Sequence, residues 1–463
     1  MHRDSLPGKK RYRGLAGSSD ALALSRLAVE SRPLAVLTAN ALDAGRLLEE
    51  IAWFAPHLRT CLLPDWETLP YDSFSPHHDL VSERLAPLYR IQRGDFDIVV
   101  VPAATALVRL CPPSYLASYT FFLRQGERLD AQALRRQLAL AGYSAVTQVM
   151  TPGEFCFRGG IVDLFPMGSA VPYRLDLDDD VGETIRTFDV DTQRTLYAVK
   201  DVRLLPAREF PLDEAGRTKF RGRWRELFEG DPSRRRLYKD VSNGVPAAGV
   251  EYYLPLFFDA LATVFDYLPT ASPLVLHRDV AGAIQAFWRE AQSRFTMMGG
   301  DPDRPLLPPA QLFVSAEEFF TRARSFPRID ILDTPEEELA EPSQEEPAHP
   351  FQAAALPPLA VDRRAKDPLA ALKIFIAVSK LQILLSAESP GRRETMLSYF
   401  SEYGLAPLPC KNYEEFSSSG KPLSITVSPL SNGFIVPAEG WAIVTEAELY
   451  AGTVRRKGRG PKT

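Results

Sequence analysis

The strongest constraint on this chain is a change of rhythm. Near its start, short apolar runs alternate with stretches of helical spacing. Leu34–Leu37 and Ile98–Val101 are two such runs, and Cys61–Leu63 is a shorter strand candidate. Asp20–Val29 carries Leu22, Leu24, Leu27 and Ala28 at helical spacing. Leu42, Leu47, Leu48 and Ile51 recur likewise behind Asn40, a suitable N-cap. The Ala-rich segment after Val101 is expected to stay helical to Leu110. Strands separated by helices predict a parallel sheet covered on both faces. Between about residues 116 and 206 the rhythm breaks. A strand at Thr120–Leu123 precedes a helix capped by Asp130, with Leu134 and Leu138 inward and Gly142 as its stop. Strand-like runs then follow quickly: Ala145–Val149, Phe155–Phe165, Tyr173–Leu177 and Thr184–Phe188. Turn residues separate them, including Pro152-Gly153, Pro166 with Gly168-Ser169, and Asp178–Asp180. That pattern is an antiparallel α+β module. Because α/β-like material flanks it, it is an insertion.

The predicted fold class is therefore α/β: a parallel α/β domain over 1–115 and 207–332, interrupted by the α+β insertion at 116–206. In the second half of that domain, Trp224, Leu227 and Phe228 are expected to share a face, and Leu256, Phe257 and Leu261 to be buried. Leu274–Leu276 reads as a strand and Ala281–Phe295 as a helix. Residues 333–350 hold seven acids, four prolines and no Lys or Arg, which predicts a solvated linker. A second small α/β domain follows over 351–452, with strands at Gln382–Leu385, Leu423–Val427 and Trp441–Val444. The basic tail, 453–463, reads as a linker that has been cut.

Charge and cysteine usage exclude some functions. A net charge of −5 argues against a globally basic nucleic-acid binder. Cys61, Cys111, Cys156 and Cys410 are far apart, with no C-x-x-C pair, so neither a disulfide framework nor a zinc site is expected. No apolar stretch is long enough for a membrane span, and no signal segment follows the basic N-terminus. A soluble, cytoplasmic protein is expected.

The most informative chemistry is missing. A phosphate-binding P-loop needs a second glycine, a lysine for charge and a hydroxyl for Mg²⁺. Gly14 opens a segment of that shape ahead of a helix, but Ser19, Asp20 and Ala21 stand at those three positions. Asp20 would repel a phosphate where a lysine should attract it. No nucleophile–base pair, metal set or cofactor box is readable, and His77-His78-Asp79 reads as an exposed loop. Arginines in the insertion are of more interest: Arg158 beside Gly159-Gly160, Arg174 in YRLDLDDD, and Arg186 and Arg194 in RTFDVDTQRT. Grouped on one small sheet, they would form a polar docking face suited to carboxylates or phosphates.

At these residues the sequence resembles the bacterial transcription-repair coupling factors. DWETLPYDSFSPH (Asp65–His77) with SERLAPLYR (Ser82–Arg90) resembles a signature of that family. RGGIVDLFPMGSAVPYRLD (Arg158–Asp176) and RTFDVDTQRTL (Arg186–Leu196) are similar to its second domain. GVEYYLPLFF (Gly249–Phe258) and DPDRPLLPP (Asp301–Pro309) are similar to the part that follows, and AESPGRRE (Ala387–Glu394) to its third domain.

The resemblance implies a UvrB-like, helicase-like first domain with a degenerate P-loop, which makes Gly14, Ser19, Asp20 and Ala21 a vestige. It implies that the insertion recruits the damage-recognition ATPase UvrA, with Arg158 and Arg174 at contact positions, and Arg186 and Arg194 as further candidates. A third contact position, usually Phe, is Asp178 here. ATP, Mg²⁺, RNA polymerase and double-stranded DNA are expected to engage other domains of the family, absent from this chain. No cofactor, ATP hydrolysis or translocation is expected of the chain alone. The alternative is a stand-alone DNA-binding module without UvrA recruitment.

Overall fold

The computed structural model describes residues 9–178, 181–333 and 352–450. Strands β1 (Lys9–Tyr12), β2 (Leu34–Thr38), β3 (Thr60–Leu62), β4 (Ile98–Pro102), β13 (Leu274–His277) and β14 (Arg328–Ile331) form one sheet. Its order is β1-β14-β13-β2-β4-β3, and every neighbouring pair is parallel. β2 and β4 are buried at every position, as strands covered on both faces must be. β13 lies between β14 and β2, so strands from beyond the insertion complete the sheet.

Helix α1 (Ser19–Glu30) follows β1, and α2 (Ala41–Phe54) follows β2. Asn40 caps α2 through its side-chain oxygen, which accepts from the Asp43 N–H at 2.8 Å. The Ala-rich helix after β4 stops at Leu107, short of the expected Leu110. Val108 and Leu110 instead make bridges to Phe313 and Ala262, which draw the backbone out of the helix. Trp224 is buried as expected, but Leu227 is 49 % exposed. The helix ends at Leu227, and Phe228 leaves it to pack edge-on against Trp224 at 4.7 Å.

In the insertion, β5 (Phe121–Arg124) pairs antiparallel with β12 (Asp201–Leu204) and closes the stem of the module. Between them lie β6 (Ser144–Ala145), β7 (Glu154–Arg158), β8 (Ile161–Phe165), β9 (Tyr173–Asp178), β10 (Val181–Phe188) and β11 (Thr195–Val199). They form a second sheet in the order β11-β10-β9-β8-β7-β6, antiparallel except for β6 against β7. The strand expected over Ala145–Val149 is shorter than its apolar run. After the Val146 N–H donates to Phe155 O, the chain turns away and Val149 buries with Cys156, Phe165 and Phe188. Asp130 caps the module's helix, accepting from the Gln132 and Ala133 N–H groups at 2.8 and 3.0 Å. One face of the sheet (Phe155, Val162, Leu164, Leu175, Ile185) packs with Leu134 and Leu138 into a core continuous with Ala35 and Leu37 of the parallel domain.

The last sheet contains β15 (Gln382–Ala387), β16 (Leu408–Pro409), β17 (Leu423–Val427), β18 (Phe434–Val436) and β19 (Trp441–Thr445), in the order β16-β17-β15-β19-β18. Only β18 is antiparallel to its neighbour. This unit does not stand apart from the first. Leu24 of α1, Leu47, Ile51 and Phe54 of α2, and Phe434, Trp441 and Ile443 of the last sheet share one core. α1 is buried almost all round through its first three turns, the mark of a helix packed on more than one side. The acidic stretch 334–350 and the tail 453–463 lie outside the described residues.

Candidate functional site

Register explains how the insertion assembles a polar face. Across the sheet, Cys156 on β7 stands opposite Asp163 on β8, Asp163 opposite Arg174 on β9, and Arg174 opposite Arg186 on β10. Residues directly opposite point to the same face, and so do residues two apart on one strand. Arg158, Ile161, Asp176 and Asp178 therefore join that row on the side away from the core. Ile161 and Val181, opposite Asp176 and Asp178, are apolar and partly open to solvent on this side.

The charges on this face are organised around one buried acid. Asp163 has a fully buried side chain. Its two oxygens accept from Arg174 Nε at 2.6 Å and from a terminal Arg174 nitrogen at 2.9 Å. Arg158 also donates to it. Arg174 donates further to Gln193 O at 3.1 Å, and its guanidinium lies over the Phe188 ring at 4.8 Å. The Arg174 side chain is only 17 % exposed, whereas Arg158 is 49 % exposed. Thus the structure brings Arg158, Arg174 and Arg186 together, but Arg174 is held from below. Arg186 and Arg194 are exposed and make no ion pair among the described residues. Asp178 ends β9 and is exposed, while Asp179 and Asp180 lie outside the described residues. Beside the face, β11 is an edge strand, with Leu196 and Tyr197 57 % and 58 % exposed.

A second cluster surrounds the loop between β1 and α1. Gly14 and Gly17 both take positive φ, at 71° and 55°, which only glycine adopts freely. Ser19, Asp20 and Ala21 open α1 and are buried. Asp20 accepts from Arg46 on α2 through both oxygens, at 3.0 and 2.6 Å, and lies 2.8 Å from His277 Nε2. Burial pushes the Asp20 carboxyl up. The hydrogen bonds from His277 and Arg46, with the Arg46 charge, outweigh burial and hold it well below the usual carboxylate range. His277 ends β13, and sequence reasoning did not single it out. LVLHRD carries that signal, because a strand ending in a basic pair sits beside the start of α1 in this topology. The polarity is thus reversed: an acid opens the helix, and Arg46, His277 and Arg278 face it.

His77 is the N-cap of a helix over His78–Gln92, so HHD opens a helix where an exposed loop was expected. Its ring nitrogen accepts from the Asp79 N–H at 3.3 Å, which satisfies a helix-end donor locally. No group of three metal-ligating side chains occurs among the described residues. Nor is any described helix long and apolar enough to cross a membrane.

Two parts of the chain match models of known families. Residues 121–210 match the family model of the UvrB interaction domain, and residues 375–449 match that of the MFD D3 domain. The chain is 40% identical over 449 residues to the transcription-repair-coupling factor of Haemophilus influenzae, covering 95% of this chain and 38% of that protein. It is 38% identical over 464 residues to the Escherichia coli factor, covering 99% of this chain and 40% of that protein. The Bacillus subtilis factor is 27% identical over 57% of this chain and 24% of its own length. The chain spans about two fifths of the length of the first two relatives. With both domain models in order and this similarity running along almost every residue, the chain belongs to the transcription-repair-coupling factor family and corresponds to its N-terminal part.

Proposed function

We propose that this chain recruits UvrA in transcription-coupled excision repair, through the polar face of the inserted sheet. The observation that carries the reading is the arginine row. Arg158, Arg174 and Arg186 project from three strands of a sheet whose other face is fixed in the core, with Ile161 and Val181 beside them. A rigid face with arginines around small apolar patches suits a protein partner, since little ordering is left to do on binding. The match of 121–210 to a UvrB interaction domain supports the same module.

In this reading the chain hydrolyses no ATP and holds neither ATP nor Mg²⁺, because the loop from Gly14 to Ala21 lacks the cation and the metal-binding hydroxyl. ATP-driven movement on double-stranded DNA and contact with RNA polymerase belong to the rest of the longer relatives.

The test is calorimetric titration of the chain with UvrA from the same organism, beside Arg186→Glu. Saturable binding that Arg186→Glu weakens about tenfold is expected. No binding by the folded chain would overturn the reading. Binding to duplex DNA that falls steeply with salt would favour the DNA-binding alternative instead.

A further inference from the structure

The space in front of α1 is occupied by the chain itself. Between β17 and β18, the loop through Ser431, Asn432 and Gly433 reaches across to the β1–α1 loop. The Ser18 N–H donates to Asn432 O at 3.1 Å, and the Asn432 N–H donates to Ser18 Oγ at 3.2 Å. Ser18 Oγ–H in turn donates to Glu50 Oε1 at 3.0 Å, and the Ser431 N–H donates to the same oxygen at 2.8 Å. A Cβ at Gly17 would sit 2.2 Å from Gly433 O, so the two backbones meet with no room for a side chain. The contact is clamped at its side by Arg26 of α1, which donates to both Glu439 oxygens at 2.5 and 2.9 Å.

Backbone N–H groups at this kind of strand-to-helix loop are the groups that would otherwise cradle a phosphate. Here the Ser18 N–H is committed to a peptide carbonyl of the last domain. The cavity left alongside is about 230 Å³ and is lined by Gly14, Ala16, Gly17, Asp20, His277 and Asp333. That is below the ~300–1,000 Å³ usual for a drug-sized ligand, and the cations beside it are already engaged: Arg278, also in its wall, pairs with Asp333 at 3.3 Å, and Arg46 with Asp20 at 2.6 Å.

We infer that the Ser431–Gly433 loop is a built-in occupant of the phosphate position, closing this site to nucleotides whatever residues stand at 19, 20 and 21. The inference rests on reading Gly14–Ala21 as a former phosphate loop. It does not depend on UvrA recruitment. Two barriers are then in series: the inverted charge around Asp20, and a plug supplied by a different domain.

The experiment restores the loop chemistry in the full chain with Ser19→Gly, Asp20→Lys and Ala21→Thr, and adds a fluorescent ATP analogue with Mg²⁺. No saturable binding is expected while the plug is in place. Deleting Ser431 and Asn432 in that same variant is expected to produce saturable binding, at least roughly tenfold tighter than the detection limit that the plugged variant fails to reach. Binding by the restored loop with the plug intact would overturn the plug while sustaining the phosphate-loop reading. Absence of binding in both folded variants would also overturn it, since removing the plug should open the site. Because Asp20→Lys removes the partner of Arg46 and His277 and so works against folding, amide exchange of the unaltered chain supplies a second test. The Ser18 and Asn432 amides should exchange at least roughly tenfold more slowly than free peptide. Free exchange at Ser18 would overturn the inference.

Discussion

Arg174 closes over Asp163 with two hydrogen bonds, 2.6 and 2.9 Å long, and Asp163 has no access to solvent. The arginine nearest the centre of the candidate docking face is therefore also the main counter-charge of a buried acid. Removing one partner of such a pair costs far more than the pair contributes.

Arg174→Glu is accordingly expected to destabilise the insertion by about 3–5 kcal/mol. Arg186→Glu, on an exposed side chain, should leave the unfolding midpoint almost unchanged. Urea unfolding of both variants checks this. Equal midpoints would show that Asp163 does not depend on Arg174. The pair of results also decides which variant is a clean probe of UvrA binding.

Asp20 gives a prediction at acid pH. Its folded carboxyl lies below its unfolded value, so the unfolded chain binds the proton more readily. The stabilisation is complete above the unfolded pKa of about 3.9 and is lost as pH falls through the folded value. Asp20→Asn should cost about 3 kcal/mol at neutral pH and flatten the stability loss below about pH 4. Unfolding midpoints from pH 7 to pH 2 measure both effects.

Glu251 behaves in the opposite sense. Burial pushes its carboxyl from 4.5 up to about 7, against its own backbone hydrogen bond and the one donated by Ser75. The folded chain then holds a proton that the unfolded chain has released, so stability falls as pH rises from about 4.5 to about 7. Glu251→Gln should remove this slope and raise the midpoint at pH 8. A variant with the same pH profile as the unaltered chain would refute the assignment.

Arg84 is fully buried and donates to Glu209 at 2.8 Å and to Pro64 O at 2.5 Å, with its guanidinium 5.1 Å from the Trp66 ring. Arg84→Ala leaves Glu209 buried without this cation, at an expected cost of about 3–5 kcal/mol. Arg84→Met is expected to recover part of the loss through packing. Thermal unfolding followed by Trp fluorescence separates the two.

That last site bears on what a sequence can reveal. Trp66 and Arg84 lie in the strings that carried the family resemblance, yet neither side chain is placed for a partner. Their distinctiveness comes from a buried ion pair joining segments far apart in sequence. The parallel strands Leu34–Thr38 and Ile98–Pro102 were legible because burial on both faces demands an unbroken apolar run. β1 and β14 were not. KKRY buries only Tyr12, and RIDI carries Arg328 paired with Asp330, so neither has the apolar signature of an inner strand. The arginine row was half legible. Alternation placed the arginines on strands, but the buried Asp163 beneath them depends on register between strands, which no single segment encodes. The contact between Ser18 and Asn432 left no local trace at all.

The burial of α1 between two sheets has a mechanical consequence. A helix that belongs to both walls of a cleft cannot follow one wall without tearing apolar contacts from the other. The first and last domains are thus expected to unfold together and to move together. Paired domains that work as motors alternate between open and closed, and that alternation needs a seam that water can enter. Here the seam is filled by Leu24, Phe54, Phe434 and Trp441. A seam packed in this way favours stiffness over relative motion, so the inserted sheet is expected to ride on a stiff base.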